Sequence, residues 1–289
     1  MQQTLFSGVC TALVTPFING MVNYPMMEQL LRRQIDAGIP AVVVAGTTGE
    51  AATLTDEEKL ELFLRCKRYA GDHCKIIAGT GSNSTSHAVA LSIAAQKACV
   101  DGLLVVSPYY NKASNEGLLA HYQSIAQSVD IPIIVYNVPS RTGLDIPVSV
   151  YRQLSCISNI AGIKEAGSDI RKITQIKREC AANLSVWTGN DDMTVPAISL
   201  GGDGVISVLS NVCPVETQAM ACAALDGDFD TAAALQRQLQ PLIELLFSEV
   251  NPIPVKAAMA CIGYDCGDCR LPLTSLSASK LDRIKDFFQ

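Results

Sequence analysis

The chemistry that this sequence suggests centres on a lysine in an apolar run. Residues Ile160–Lys164 (IAGIK) have the composition of a buried strand, which glycine closes at Gly167. Burial disfavours a charged amine, which then tends to release its proton. A neutral amine attacks carbonyl groups, so Lys164 is a candidate Schiff-base lysine. The alternative is a lysine at the exposed end of its strand, with its head in water.

Polar residues and glycines accompany the other apolar runs. Gly46–Glu50 (GTTGE) combines hydroxyls with backbone N–H groups freed by glycine, which suits a carboxylate, although such residues also form ordinary turns. Tyr136 ends another run, and Arg141 follows five residues later. Taken singly, Tyr136 could be a core aromatic residue and Arg141 a surface arginine. Gly189 directly follows the seventh run, and Ile206 lies in the eighth. These residues lie at or near the ends of apolar runs, as Lys164 does, and this shared position favours a single site that contains Lys164.

The apolar runs recur roughly every 25–35 residues, the size of a βα unit, with amphipathic helical stretches between them. There are eight: Val9–Val14, Ala41–Ala45, Lys75–Ala78, Gly102–Val106, Ile131–Tyr136, Ile160–Lys164, Leu184–Thr188 and Gly204–Val208. This alternation predicts an α/β fold, a (β/α)8 TIM barrel, whose strands end on one rim where chemistry takes place. A doubly wound sheet is the alternative, but no glycine-rich dinucleotide turn follows any run.

Helix ends can be read from capping residues. Asn23 is suited to cap one helix, and Thr55 with Glu58 forms a capping box for the next. After about residue 220 the strand signal stops, and three helices are predicted over 228–250, 251–263 and 277–288. We therefore predict a catalytic barrel over residues 1–224 and a C-terminal helical extension over residues 225–289.

Composition limits the partners of this chain. Its 289 residues are 48% hydrophobic and carry a formal net charge of -6, which argues against nucleic acid or an anionic membrane as the main partner. No apolar run approaches the roughly 20 residues that span a bilayer. Met1–Thr4 show no cationic region before an apolar stretch, so we expect a cytoplasmic protein.

The 11 cysteines are scattered mainly through apolar runs, which favours reduced, buried thiols. Cys266 and Cys269 have CxxC spacing, with Cys261 nearby. A zinc site would need a fourth ligand, and none of the three histidines is close in sequence. A metal or redox site is therefore the less favoured alternative.

Four motifs in order resemble the dihydrodipicolinate synthase family of class I, pyruvate-dependent aldolases. They are Gly46–Glu50 (GTTGE), Tyr136–Gly143 (YNVPSRTG), Gly162–Ala166 (GIKEA) and Asn251–Lys256 (NPIPVK). The resemblance runs almost end to end. It implies condensation of pyruvate with L-aspartate 4-semialdehyde to 4-hydroxy-tetrahydrodipicolinate, the first committed step of diaminopimelate and lysine biosynthesis, with no metal or organic cofactor.

The resemblance also implies roles for residues in the proton transfers. Lys164 forms the imine with pyruvate. Because no histidine lies at a strand end, hydroxyl groups must move the protons, and the family pattern assigns Tyr136, Thr47 and Tyr110 to this relay. Tyr110 would reach in from a neighbouring subunit, so at least a dimer is required, and analogy suggests a homotetramer built as a dimer of dimers.

The substrate-binding roles follow from the same resemblance. Thr48 and the backbone of Ile206 would hold the pyruvate carboxylate. Arg141 suits the carboxylate of the second substrate, since its planar guanidinium can bind both oxygens. Gly189 would let the backbone approach the imine closely.

Sibling aldolases are the nearest alternative, namely N-acetylneuraminate lyase and the sugar-acid lyases. These relatives generally lack an arginine at the position of Arg141, and many have serine-threonine in place of Thr47-Thr48. A barrel that has lost catalysis is a further alternative, against which the presence of Lys164 and Tyr136 argues.

Feedback inhibition by L-lysine is predicted to be weak or absent. Inhibited members usually carry histidines and a glutamate where this chain has Asp56, Lys59 and His87, although other positions of that pattern fit. A cationic Lys59 would repel the ammonium of an incoming lysine.

Overall fold

Eight parallel strands close into a barrel in this computed structural model, which describes residues 4–182 and 184–288. The strands in chain order are β1 (Gly8–Ala12), β2 (Phe17–Ile18), β3 (Met21–Val22), β4 (Ala41–Val44), β5 (Lys75–Gly79), β6 (Gly102–Val106), β7 (Ile133–Asn137), β8 (Ile160–Glu165), β9 (Ser185–Thr188) and β10 (Gly204–Ser207). Strands β1 and β4–β10 form the barrel, and pairing of β1 with β10 closes it.

The predicted (β/α)8 barrel is confirmed. Each of the eight apolar runs coincides with a barrel strand, and the ends differ by at most two residues. The first strand, for example, covers Gly8–Ala12 rather than Val9–Val14. Buried parallel strands are apolar on both faces, and this is why the runs are visible in the sequence.

A short antiparallel hairpin, β2–β3, was not predicted. Its two-residue strands are too short to show an alternating pattern. The turn signal was present, because Asn19-Gly20 takes positive φ angles of 51° and 76°, the preference of this dipeptide in tight hairpins. The guanidinium of Arg270 donates to the carbonyl of Gly20 and fixes the hairpin to the C-terminal part of the chain.

The helices in chain order are α1 (Tyr24–Asp36), α2 (Asp56–Ala70), α3 (Thr85–Lys97), α4 (Asn115–Ala126), α5 (Pro139–Thr142), α6 (Val148–Leu154), α7 (Arg171–Glu179), α8 (Thr194–Ser199), α9 (Pro214–Leu225), α10 (Phe229–Leu246), α11 (Ile253–Cys261) and α12 (Ala278–Phe288). Both predicted caps are confirmed. The side chain of Asn23 accepts from the Met26 N–H, and Thr55 and Glu58 form the complete capping box.

Two apolar clusters make up the core. The larger lies between the barrel and its helices and includes Leu242, Val255 and Ile284 of the C-terminal helices. The smaller fills the barrel interior and includes Tyr136 and Trp187. The three predicted C-terminal helices are confirmed as α10–α12. The division into a barrel of residues 1–224 and an extension of residues 225–289 stays a prediction.

The described residues contain neither a membrane-spanning helix nor a cluster of metal ligands. None of the helices there is long and apolar enough to cross a membrane. The same residues contain no group of three or more His, Cys, Asp or Glu side chains that could hold a metal ion. Cys261, Cys266 and Cys269 are free thiols, and burial raises the pKa of Cys266 to about 12.

Candidate active site

Lys164 lies in β8 between two aromatic neighbours. In the sheet it pairs with Tyr136 of β7 and with Trp187 of β9. Paired residues of adjacent parallel strands point to the same face, so these three side chains share one layer of the barrel interior. Lys164 is only 6% exposed, and its Nζ lies 4.4 Å from the centroid of the Tyr136 ring. The lysine is therefore buried, unlike the exposed alternative considered for the sequence.

Lys164 differs from the other buried lysines in its lack of a carboxylate partner. Lys59, Lys172 and Lys256 are also buried, and each forms an ion pair. No described carboxylate lies within ion-pair distance of Lys164 Nζ, and this amine donates no hydrogen bond to any described residue. An amine without such a partner is free to attack a carbonyl carbon.

Gly189, directly after β9, leaves room for the lysine. A Cβ atom at this position would lie 2.8 Å from Lys164 Cε and 2.7 Å from Ala166 Cβ. Both distances are too short for carbon–carbon contact, so any larger residue would displace the lysine. Close approach of the backbone to Lys164 is the role that the resemblance implied for Gly189.

A cavity of about 350 Å³ opens at the C-terminal ends of the strands. Thr47, Tyr136 and Arg141 line it, and the ring of Tyr136 connects it to Lys164. The hydroxyls of Thr47 and Tyr136 form no hydrogen bond within the described residues, so both can serve a bound molecule. The cavity thus joins a nucleophile, two free hydroxyls and a cation.

Thr48 and Arg141 are held by the same residue, Asn251. Asn251 Nδ2 donates to Thr48 Oγ1 at 3.0 Å, and Arg141 Nη2 donates to the Asn251 carbonyl at 3.2 Å. Asn251 also lines the cavity, and its buried Oδ1 has no hydrogen-bond partner in the described part of the chain. Sequence analysis gave this residue no role, because its partners lie 203 and 110 positions away.

Tyr110 and Ile206 stand apart from this cavity. Tyr110, in the loop after β6, is 92% exposed and has a positive φ of 71°, whereas the neighbouring Tyr109 lines the cavity. Ile206 lies in β10, fully buried in the barrel interior. The structure therefore brings Lys164, Tyr136 and Gly189 into contact, but it places Tyr110 outside the site of its own chain.

Comparison with known proteins decides the class to which this arrangement belongs. Residues 5–289 match the Dihydrodipicolinate synthetase family. The chain belongs to this family. A curated relative, the 4-hydroxy-tetrahydrodipicolinate synthase of Thermoanaerobacter sp. (strain X514), is 44% identical over 282 residues, which cover 97% of this chain and 95% of the relative. The predicted family is confirmed, and so is the prediction that the chain is an enzyme of the lyase class.

Solved structures of the family have the same fold. The crystal structure of dihydrodipicolinate synthase from Aquifex aeolicus is 41% identical and superposes with a TM-score of 0.96, covering 98% of this chain and 97% of that one. An enzyme from Cyanidioschyzon merolae with lysine bound is 39% identical, with a TM-score of 0.95 and coverage of 98% and 97%.

A buried ion pair anchors the GTTGE motif of this family member. Glu50 Oε1 lies 2.7 Å from Lys256 Nζ, and the two side chains are 0% and 4% exposed. The pair is a charge contact rather than a directed hydrogen bond, since Oε1 has no hydrogen-bond partner among the described residues. The backbone N–H of Arg270 donates to Glu50 Oε2 at 2.9 Å. Lys256 comes from the NPIPVK motif, so α11 holds the loop that carries Thr47 and Thr48.

A second buried network fixes the strand end beside Lys164. Glu165 accepts hydrogen bonds from Asn137 Nδ2 at 2.8 Å, the Gly167 N–H at 2.7 Å and the Tyr151 hydroxyl at 3.0 Å, and it pairs with Lys172 at 3.3 Å. Burial, followed by the charge of Glu165, raises the pKa of the Tyr151 hydroxyl, which keeps it a donor. The negative charge of Glu165 is therefore balanced by Lys172 and by these hydrogen bonds.

One cluster beside the cavity contains the three residues that differ from the pattern expected of lysine-inhibited members, namely Asp56, Lys59 and His87. Asp56 Oδ2 lies 2.8 Å from His87 Nε2, and Asp56 Oδ1 lies 3.6 Å from Lys59 Nζ. Burial opposes ionisation of Asp56, but the hydrogen bond from His87 and the charge of Lys59 together lower the pKa of its carboxyl. Lys59, His87 and Tyr109 all line the cavity, so the Lys59 cation faces the same space as Tyr136 and Arg141.

Proposed function

We propose that this chain is a 4-hydroxy-tetrahydrodipicolinate synthase, which condenses pyruvate with L-aspartate 4-semialdehyde without a metal or organic cofactor. The buried Lys164, which has no carboxylate partner, supports this proposal most strongly. The curated relative reported above carries the same activity in its name. We further propose that the enzyme acts in the cytoplasm as a homotetramer, a dimer of dimers.

In the first half of the reaction, Lys164 attacks the ketone carbon of pyruvate and water leaves, which gives an imine. The protonated imine withdraws electrons, so the methyl group of pyruvate loses a proton and an enamine forms. The ring of Tyr136 lies against the amine, and its hydroxyl has no competing hydrogen bond among the described residues, which suits proton transfer at this step. Thr48 and the Ile206 backbone hold the pyruvate carboxylate.

In the second half, the enamine carbon attacks the aldehyde of aspartate semialdehyde and a carbon–carbon bond forms. The substrate amine then attacks the imine carbon, closes the ring and expels Lys164 as a free amine. Arg141 holds the carboxylate of this substrate through its planar guanidinium. Asn251 lies beside Arg141, and its Oδ1 has no hydrogen-bond partner among the described residues. This oxygen is an acceptor suited to the ammonium group that aspartate semialdehyde carries on the same carbon as that carboxylate.

An assay with alternative substrates tests the proposed activity. Purified enzyme with pyruvate and aspartate semialdehyde should form the cyclic product, and with N-acetylneuraminate or a 2-keto-3-deoxy sugar acid it should release no pyruvate. Release of pyruvate from either sugar acid, with no cyclic product, would assign the chain to a sibling aldolase instead.

Tyr110 is expected to act in the site of a neighbouring subunit. Tyr110→Phe should lower kcat by about 10²–10⁴-fold, the usual contribution of a positioned proton-transfer group. Coassembly with Lys164→Arg distinguishes the two arrangements. If Tyr110 acts in trans, a mixed dimer of the two inactive variants contains one complete site and recovers activity, whereas a tyrosine acting in its own chain restores none. Activity should therefore be measured for mixed dimers isolated by two affinity tags.

L-Lysine is expected to leave the initial rate unchanged at micromolar concentrations. Lys59 lines the cavity as a cation and repels a second ammonium in a poorly solvated space. The matched control is Asp56→His/Lys59→His/His87→Glu, which restores the residue types of inhibited members and should become sensitive. Strong inhibition of the unmodified enzyme at micromolar lysine would contradict this prediction.

A further inference from the structure

The loop after β6 turns sharply at Tyr110. The Asn111 N–H donates to the Tyr109 carbonyl at 2.9 Å, which closes a hydrogen-bonded turn of three residues. Its central residue, Tyr110, has a φ of 71°, the value of a γ-turn with positive φ. This form of γ-turn is rare and strained, and a bulky residue with a positive φ is an outlier. Such a conformation persists only where the surrounding structure holds it.

The turn directs two consecutive tyrosines differently. Tyr109 lines the cavity of its own chain, whereas Tyr110 is 92% exposed. The ring of Tyr110 is not buried, and its hydroxyl forms no hydrogen bond within the described residues. The strain of the turn is therefore not offset by any contact that Tyr110 makes in its own subunit. Strained backbone of this kind is concentrated at functional sites, and here it points to a role for Tyr110 outside its own chain.

One side-chain hydrogen bond holds the turn. Asn111 Nδ2 donates to the Asn83 carbonyl at 2.9 Å. Within the described residues, this is the only hydrogen bond that joins Tyr109, Tyr110 or Asn111 to another part of the chain. The position of the turn, and with it the direction of Tyr110, therefore depends on the Asn111 side chain.

The acceptor of this bond belongs to a loop with little freedom. Asn83 lies between β5 and α3, two residues after Gly81. A Cβ atom at Gly81 would lie only 2.3 Å from the backbone nitrogen of Val106, so the two backbones are in close contact. Val106 ends β6, the strand from which the tyrosine loop departs. The Asn83 carbonyl is thus fixed relative to that strand end, and it gives Asn111 a firm anchor.

We propose that Asn111 is a positioning residue, which holds the strained turn so that Tyr110 is presented to the active site of a neighbouring subunit. The inference rests on the proposed role of Tyr110 in the proton relay. Without the bond to Asn83, Tyr110 relaxes towards a negative φ, and its hydroxyl leaves the direction that the turn gives it. A proton-transfer group that is already held in place loses no rate to reorientation.

Asn111→Ala removes the bond and should lower kcat about tenfold, the effect of losing one hydrogen bond that holds a strained conformation. In the Tyr110→Phe background, the same change should have no further effect, because Asn111 acts only through that hydroxyl. Asn115→Ala is the matched control. Asn115 is exposed at the start of α4, and its side chain forms no hydrogen bond within the described residues, so kcat should be unchanged.

Mixed dimers give the sharpest readout. One subunit carries Lys164→Arg and supplies Tyr110, while the other carries Tyr110→Phe and supplies Lys164, so a single complete site is present. Asn111→Ala should lower the activity when it is placed in the Lys164→Arg subunit, and it should have no effect in the Tyr110→Phe subunit. Equal losses from both placements, or a further tenfold loss in the Tyr110→Phe background, would overturn the proposal.

Asn111→Asp replaces Asn111→Ala if the latter does not fold, because it has nearly the same shape but lacks the donor. Sedimentation measures dimerisation of each variant. Failure of both variants to fold or to dimerise would overturn the proposal, since Asn111 would then be purely structural. Full activity of Tyr110→Phe would refute the relay and this inference with it. Absence of a borohydride-trapped pyruvate adduct in the unmodified enzyme would instead refute the proposed function.

Discussion

Lys164→Arg is expected to abolish the pyruvate adduct and to lower kcat/KM by about a thousandfold or more, as loss of a covalent nucleophile does. Arginine keeps a positive charge and a long side chain, but its guanidinium stays protonated and cannot form an imine. Incubation with pyruvate, reduction with borohydride and peptide mapping should place the adduct of the unmodified enzyme on Lys164, and the variant should carry none.

Lys97→Arg is the matched control for this experiment. Lys97 is an exposed lysine at the end of α3, far from any reacting group in the proposed mechanism, so the adduct and the rate should be unchanged. An adduct on any other lysine of the unmodified enzyme, or no adduct at all, would refute the Schiff-base mechanism. The buried lysines that form ion pairs are expected to stay unmodified, because their amines are held as cations.

Lys256→Met is expected to lower the free energy of unfolding by about 3–5 kcal/mol, the usual result of leaving a buried charge without its partner. The variant removes the only cation paired with Glu50 among the described residues, and Glu50 is fully buried. The double variant Glu50→Gln/Lys256→Met should recover much of this loss because it removes the uncompensated charge. Denaturant unfolding, followed by Trp187 fluorescence at one fixed protein concentration, measures both.

Lys280→Met is the control for this stability prediction. Lys280 pairs with Glu249 at 2.5 Å, but both side chains are partly exposed, and such pairs contribute at most about 1 kcal/mol. A Lys256→Met variant no less stable than Lys280→Met would show that the Glu50–Lys256 pair does not hold the GTTGE loop.

Sequence patterns predicted the barrel and most of its rim because buried parallel strands are continuous apolar runs. Lys164 was conspicuous for the same reason, as a charged residue inside such a run. Long-range contacts had no comparable signal. Asn251 joins Thr48 and Arg141, which are far apart in the chain, and only the folded barrel brings them together.

Other features depended on geometry that residue types do not reveal. The Asn19-Gly20 hairpin has strands too short for periodicity, although its turn residues were a signal. The burial of Asp191 and its hydrogen bond from the Val208 N–H had no signal in the sequence, because they depend on how the segments after β9 and β10 meet. The proposed relay through Tyr110 depends on a second subunit, which the sequence of one chain cannot place.

The contacts of the NPIPVK motif have a consequence for the order in which this enzyme is made. Synthesis proceeds from the N-terminus, so the barrel strands and Lys164 leave the ribosome before Asn251 and Lys256 do. Until those two residues arrive, Thr48 and Arg141 lack their common hydrogen-bonding partner, and Glu50 lacks its cation. A nascent chain, or one cut after residue 250, therefore has its reactive amine but not the contacts that order its substrate-binding loops.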